Sequence, residues 1–191
     1  MTGAAREKPL PPKPGLGSTR ARLAEILRVD HAGEIGAVAI YRGQQAVFAQ
    51  AQGCERIGGQ LAEMEAHEAV HLARFDQLLN ERRVRPTALA PVWRLAGFTL
   101  GVATALMGEK AAHACTEAVE TAIEEHYAGQ AQELAEVEPE LAAELSRFRD
   151  EELAHRDLAL AEGAREAPGY RLLSAVIGAG CRAAIRVSEK I

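Results

Sequence analysis

The chain carries one pattern twice. Residues 34–44 read EIGAVAIYRGQ and residues 120–130 read ETAIEEHYAGQ, and both are E-x6-Y-x-G-Q. Further along each half stands E-x-x-H, as Glu68 to His71 within HEAVH (67–71) and as Glu152 to His155 within EELAH (151–155). Of the six histidines, only His71 and His155 have a Glu three residues before them. Such self-similarity marks two copies of one supersecondary unit. The fold must therefore be one that can bring two like units together.

Taken alone, HEAVH is the H-E-x-x-H of zinc protease helices. The repeat speaks against that reading. His67 has Glu151 as its counterpart, so the repeated unit is E-x-x-H and the leading His is accidental. A zinc protease would also need a third ligand and would leave the second half unexplained.

On a helix, residues i and i+3 are neighbours on one face, about 4.5 Å apart along the axis. Glu and His at that spacing can both bind, or bridge to, one metal. Two such pairs, with Glu34 and Glu120 from two further helices, give four carboxylates and two imidazoles. That is the ligand set of a di-iron or di-manganese site inside a four-helix bundle. Hard oxygen donors with a little imidazole suit Fe or Mn, whereas tetrahedral zinc usually takes fewer carboxylates. Four carboxylates balance two divalent cations, and without cations so many buried acids would take up protons. Glu117 and Glu124 lie one turn either side of Glu120 on the same face, and the repeat offset selects Glu120. Tyr41 and Tyr127 read first as core tyrosines, with a hydrogen bond to the site or an electron-transfer step as the alternative. Gly43 and Gly129 read as points of close helix packing. Asp30 reads equally as a carboxylate orienting a ligand His and as a surface acid. His31, His113 and His126 read as core or surface residues, and His126, beside Tyr127 in the repeat, is the best placed of them to stand behind the ligands.

Composition supports an all-α fold. The 191 residues suit one domain, and Ala, Leu, Glu, Arg and Gln are strong helix formers. The formal charge of −5 argues against a nucleic-acid partner. Three scattered cysteines, Cys54, Cys115 and Cys181, with no CxxC fit buried thiols in a reducing compartment. Residues 1–17 are Pro/Gly-rich and read as a flexible leader, neither signal nor transit peptide. Residues 18–191 read as the domain, with pseudo-repeats over about 18–82 and 109–162.

Helices are expected from the Ser18–Thr19 cap to about Ala51, then over about Glu55–Arg82, Val92–Gly108, Glu109–Glu136, Glu138–Glu162 and Tyr170–Ser188. The third is the most apolar, and its uncharged run from Leu95 to Met107 spans roughly 20 Å as a helix. A bilayer core is about 30 Å thick, so this run is too short to cross it. The last helix, with LLSAVIGAGC, is also apolar and short. The fold expected is a ferritin-like four-helix bundle with two additional short apolar helices.

Several segments resemble one family. LRVDHAGEIGAVAIYRGQ (27–44), HLARFDQLLNERRVRPT (71–87), ACTEAVETAIEEHY (114–127), FRDEELAHRD (148–157) and AGCRAAIRVSEK (179–190) are similar to the demethoxyubiquinone hydroxylases of ubiquinone biosynthesis. The likeness runs from about Leu27 to the C-terminus. It places the family's six iron ligands on Glu34, Glu68, His71, Glu120, Glu152 and His155, the set the repeat reaches independently. It implies a di-iron monooxygenase that hydroxylates the ring of a polyprenylated methoxy-methyl-benzoquinol with O2, with reducing equivalents ultimately from NADH. Glu68 and Glu152 are then the bridging ligands, with Tyr127 and His126 behind the ligand set. No G-x-G-x-x-G fingerprint appears, so electrons are expected from a partner, from the quinol itself or by direct NADH contact.

A greasy quinone lives in the bilayer. The resemblance therefore favours membrane contact by the segments Val92–Met107 and Leu172–Cys181 dipping into one leaflet, flanked by Arg94, Arg171, Arg182 and Arg186. Ordinary burial or a dimer interface is the alternative use of those segments. The expected location is peripheral, on the cytoplasmic side of a bacterial inner membrane. A homo-oligomer or a ubiquinone-biosynthesis complex is a further expected assembly. Three other functions share features of the pattern: a ferroxidase or iron store, a manganese catalase, and a helical scaffold without metal.

Overall fold

The computed structural model describes residues 19–49 and 51–191. The leader and the Ser18 cap lie outside the described residues. Six α-helices follow in order: α1 (Thr19–Phe48), α2 (Glu55–Arg82), α3 (Ala90–Leu106), α4 (Glu109–Leu134), α5 (Pro139–Ala161) and α6 (Tyr170–Ser188). A short 3-10 turn, Ala164–Glu166, precedes α6. No strand occurs among the described residues. The expected α2 and α6 bounds are met, and the other helix ends fall within a few residues of expectation.

The helix stops have local causes. Pro86 lies in the open segment after α2, and Pro91 and Pro139 occupy the first turns of α3 and α5, where a missing N–H costs nothing. Gly108, at φ 106°, takes the reversal between α3 and α4 that a side chain would resist.

α1 packs on α2 and α4 on α5, forming the four-helix core. Its interior has two apolar plugs. One gathers Leu27, Phe75, Leu78, Tyr127, Leu145 and Phe148, and the other Tyr41, Phe48, Ile57, Leu61 and Met64. Between them the bundle is polar, and that gap positions the site.

α3 lies along α1, and α6 against α4. The α1–α3 contact depends on glycine. A Cβ on Gly101 would meet the Ile40 carbonyl oxygen at 2.1 Å, and one on Gly43 would meet the Phe98 carbonyl oxygen at 2.2 Å. The packing role expected of Gly43 is therefore present. Gly129 has nothing within 4 Å of such an atom, so its expected packing role is absent: its face of α4 is open. The two glycines should respond oppositely to alanine. Gly129→Ala should gain up to about 1 kcal/mol of helix propensity. Gly101→Ala should lose about 1–3 kcal/mol, because backbone cannot yield as a side chain can. Urea unfolding midpoints of the two variants read out the difference.

Candidate metal centre

Each half of the repeat supplies one Glu from its first helix and one Glu–His pair from its second. α1 carries Glu34, α2 Glu68 and His71, α4 Glu120, α5 Glu152 and His155. All six side chains are buried, four of the residues at 0 % exposure and His155, the most open, at 5 %. Their polar atoms form two groups, Glu34–Glu68–His71–Glu152 and Glu68–Glu120–Glu152–His155, each with ligand atoms within 4.8 Å of one another. Glu68 and Glu152 belong to both groups. The i, i+3 spacing brings Glu and His onto one inward face, as the sequence requires.

The inner atoms crowd without bonding. His71 Nδ1 stands 3.2 Å from Glu152 Oε1 and 3.6 Å from Glu68 Oε2. His155 Nδ1 stands 3.1 Å from Glu68 Oε1 and 3.5 Å from Glu152 Oε2. None of these approaches is a hydrogen bond. Both oxygens of Glu68 and Glu152, one oxygen each of Glu34 and Glu120, and both Nδ1 atoms are buried without a hydrogen-bond partner. Buried polar atoms are normally paired. So many unpaired donors converging on one volume fit two hard divalent cations with mixed carboxylate and imidazole ligands.

The electrostatics lead the same way. Burial first, then repulsion from Glu68 and Glu152, pushes the Glu34 and Glu120 carboxyls well above the usual range. Burial also raises Glu68, but the facing imidazoles of His155 and His71 outweigh it and hold that carboxyl at about 2. Burial lowers both imidazoles, and the facing Glu152 and Glu68 overcome it, raising His71 to about 12 and His155 to about 10. Protons thus supply the positive charge that cations would otherwise supply, and metal uptake should release them.

The tyrosines of the repeat cross over. Tyr41, 1 % exposed, donates its hydroxyl to Glu120 Oε1 at 2.5 Å, and Tyr127 donates to Glu34 Oε1. Each half therefore fixes the α1- or α4-borne Glu of the other. Both tyrosines also belong to the apolar plugs, so the core reading and the site reading hold together.

Glu117 and Glu124 do not join the cluster. Glu117 accepts a hydrogen bond from Ser174, and Glu124 faces Arg156. His126 lies against Gln130 and Asp30 rather than on a ligand. Asp30 corrects both expectations for it. It is buried at 3 % exposure, yet it accepts from Gln130 and faces His126, not His71 or His155. His31 pairs with Asp76, and His113 is buried away from the cluster with neither ring nitrogen paired.

His67 requires a correction. Its ring Nδ1 lies 3.1 Å from His155 Nε2, and the rings stack with centroids 5.4 Å apart. Glu151 Oε2 lies 2.6 Å from His71 Nε2. The leading residue of each string is therefore not accidental: it backs the histidine of the opposite half. The signal was present in the aligned repeat, where His67 stands opposite Glu151, but unlike residue types at matching positions read as noise.

A cleft of about 350 Å3 runs between α1, α3, α4 and α6. Ala32, Gly36, Ile40, Gly97, Val119 and Ile177 line it, almost wholly apolar. Gly33 and Val119, also in its wall, are the chain neighbours of Glu34 and Glu120. Leu95, Leu172 and Val176, on the same two outer helices, are 69 %, 72 % and 62 % exposed. Among the described residues no helix is long and apolar enough to cross a membrane.

Comparison with known proteins adds a family and close relatives. The family model described as "Ubiquinone biosynthesis protein COQ7" matches residues 21–188. A Rhodospirillum rubrum protein named 3-demethoxyubiquinol 3-hydroxylase is 51% identical, over 93% of this chain and 82% of its own. A human protein named NADPH-dependent 3-demethoxyubiquinone 3-hydroxylase, mitochondrial, is 46% identical, over 91% of this chain and 80% of its own. A Saccharomyces cerevisiae protein named 5-demethoxyubiquinone hydroxylase, mitochondrial, is 38% identical over 90% and 79% respectively.

Proposed function

We infer that this chain, which belongs to the COQ7 family of ubiquinone biosynthesis, is an O2-dependent 3-demethoxyubiquinol 3-hydroxylase. It is a di-iron carboxylate monooxygenase that hydroxylates the ring of 2-polyprenyl-3-methyl-6-methoxy-1,4-benzoquinol. The observation that carries this reading is the buried set of unpaired carboxylate and imidazole atoms beside an almost wholly apolar cleft.

In this reading Glu34, Glu68, His71, Glu120, Glu152 and His155 hold the metal. Glu68 and Glu152, common to both ligand groups, would each serve both ions. When bound, the two irons supply the O2 activation that no amino-acid side chain provides. The protein's part is placement. Tyr127 and Tyr41 fix Glu34 and Glu120 by hydrogen bonds, and the plugs above and below keep water out. His126, through Asp30 and Gln130, supports the α4 side next to Tyr127. The cleft receives the quinol, with its ring toward Glu34 and Glu120 and its polyprenyl tail toward the outer ends of α3 and α6. Reducing equivalents come ultimately from a reduced nicotinamide, NADH in this reading and NADPH in the printed name of the human relative.

The domain is taken as residues 18–191 with a leader at 1–17, and its pseudo-repeats as about 18–82 and 109–162. The exposed apolar residues of α3 and α6 rest in one leaflet, with Arg94, Arg171, Arg182 and Arg186 toward anionic head groups. This places the protein peripherally, on the cytoplasmic side of a bacterial inner membrane, with a homo-oligomer or a ubiquinone-biosynthesis complex as its further assembly. Flotation with anionic liposomes should carry the protein upward, and Leu95→Glu with Leu172→Glu should leave it in the soluble fraction. Equal flotation of both forms would contradict the leaflet contact. For the activity, protein loaded with Fe(II) and given reductant should convert a short-tailed demethoxyubiquinol to its hydroxylated product, and chelator-stripped protein should not.

A further inference from the structure

The two halves of the centre are alike in their ligands and unlike behind them. His71 turns Nδ1 inward and presents Nε2 to the Glu151 carboxylate at 2.6 Å. His155 turns Nδ1 inward and presents Nε2 to the His67 ring at 3.1 Å. An Nδ1 that faces a cation must carry its lone pair, so the proton sits on Nε2 and is donated outward. His71 then donates to an anion, and His155 to a neutral imidazole. Both backing residues reach out of the bundle: the Glu151 side chain is 52% exposed, and His67 is exposed.

We propose that His67 and Glu151 are a crossed pair of positioning residues that makes the two metal positions unequal, the one beside His71 being the stronger. The proposal rests on the dinuclear reading of the cluster. A carboxylate drawing on the outer N–H raises the basicity of the ligating nitrogen and fixes the ring, and losing such a partner typically weakens metal binding about 10–100-fold. A neutral imidazole in the same place fixes the ring, here also by stacking, but lends less basicity. The fold supplies both partners from equivalent positions, one residue before the Glu of each E-x-x-H. The inequality is therefore written into two residues rather than into the ligands.

Anaerobic Fe(II) titration of the whole chain tests this, with Mössbauer spectra of protein loaded with enriched iron as a readout independent of turnover. The unaltered protein should bind two ions in separable steps and show two distinct ferrous signals. Glu151→Gln should weaken the tighter step about 10–100-fold and move one signal while leaving the other in place. His67→Glu should tighten the weaker step and draw the two signals together. The double exchange, His67→Glu with Glu151→His, should restore two separated steps. Because both positions are exposed, thermal midpoints of the metal-free variants should match the parent. The proposal is overturned if the unaltered protein shows two equivalent ions, if Glu151→Gln weakens both steps alike, or if His67→Glu leaves the steps as they were. Binding of no iron by the unaltered protein would instead remove the dinuclear reading beneath it.

Discussion

Glu152→Ala should empty both metal positions together. Iron after anaerobic loading and desalting should fall from about two per chain to below about one, and quinol turnover should fall to background. The reason is geometric. Glu152 has an oxygen in each ligand group, one 3.2 Å from His71 Nδ1 and the other 3.5 Å from His155 Nδ1. Removing it would take a potential ligand atom from each group. It also leaves Glu68 as the one ligand-group carboxylate still facing both buried imidazoles, so some loss of stability is expected as well. Glu152→Gln separates the two effects. It keeps the volume and removes the charge, so it should fold like the parent and still fail to retain iron. His71→Ala, which belongs to one group, should retain more metal than either. Metal analysis by plasma mass spectrometry and turnover by chromatography of the product check these outcomes.

Metal loading should raise the thermal midpoint by a large margin. An ion that binds only the folded chain at about 100 times its Kd contributes about 2.7 kcal/mol, so two sites contribute about 5 kcal/mol. For a domain of this size that is on the order of 10–20 °C. The metal-free protein should still be folded, since its two apolar plugs do not depend on the site. What the ions relieve is the burial of carboxyl groups that otherwise hold protons or face one another unpaired. Chelator should reverse the gain, and Glu152→Gln should show little of it. Calorimetry with and without Fe(II) or Mn(II), under argon, measures the shift.

The convergence of these six side chains was legible because helix geometry and the repeat each restrict the choice. Spacing i, i+3 places Glu68 with His71 and Glu152 with His155, and the offset separates Glu120 from Glu117 and Glu124. The structure turns those two away, toward Ser174 and Arg156. The crossed hydrogen bonds were not legible. Tyr41 reaching Glu120, and His67 reaching His155, are contacts between halves, and sequence spacing reports neighbours within a helix only. Asp30 was misplaced for the same reason. Its partners His126 and Gln130 lie on α4, and nothing in the sequence around Asp30 points there. Gly43 and Gly129 show the limit of the repeat itself. They are equivalent in sequence, but α3 packs on one and nothing covers the other.

The origin of the new ring oxygen tests the hydroxylase reading most directly. Iron-loaded protein, supplied with reductant and a short-tailed demethoxyubiquinol under isotopically heavy O2 in ordinary water, should yield product in which the added hydroxyl carries the heavy isotope. Stripped protein and the Glu152→Gln variant should yield none. A product whose hydroxyl carries the isotope of water, or iron-loaded protein that consumes O2 and leaves the quinol unchanged, would contradict it.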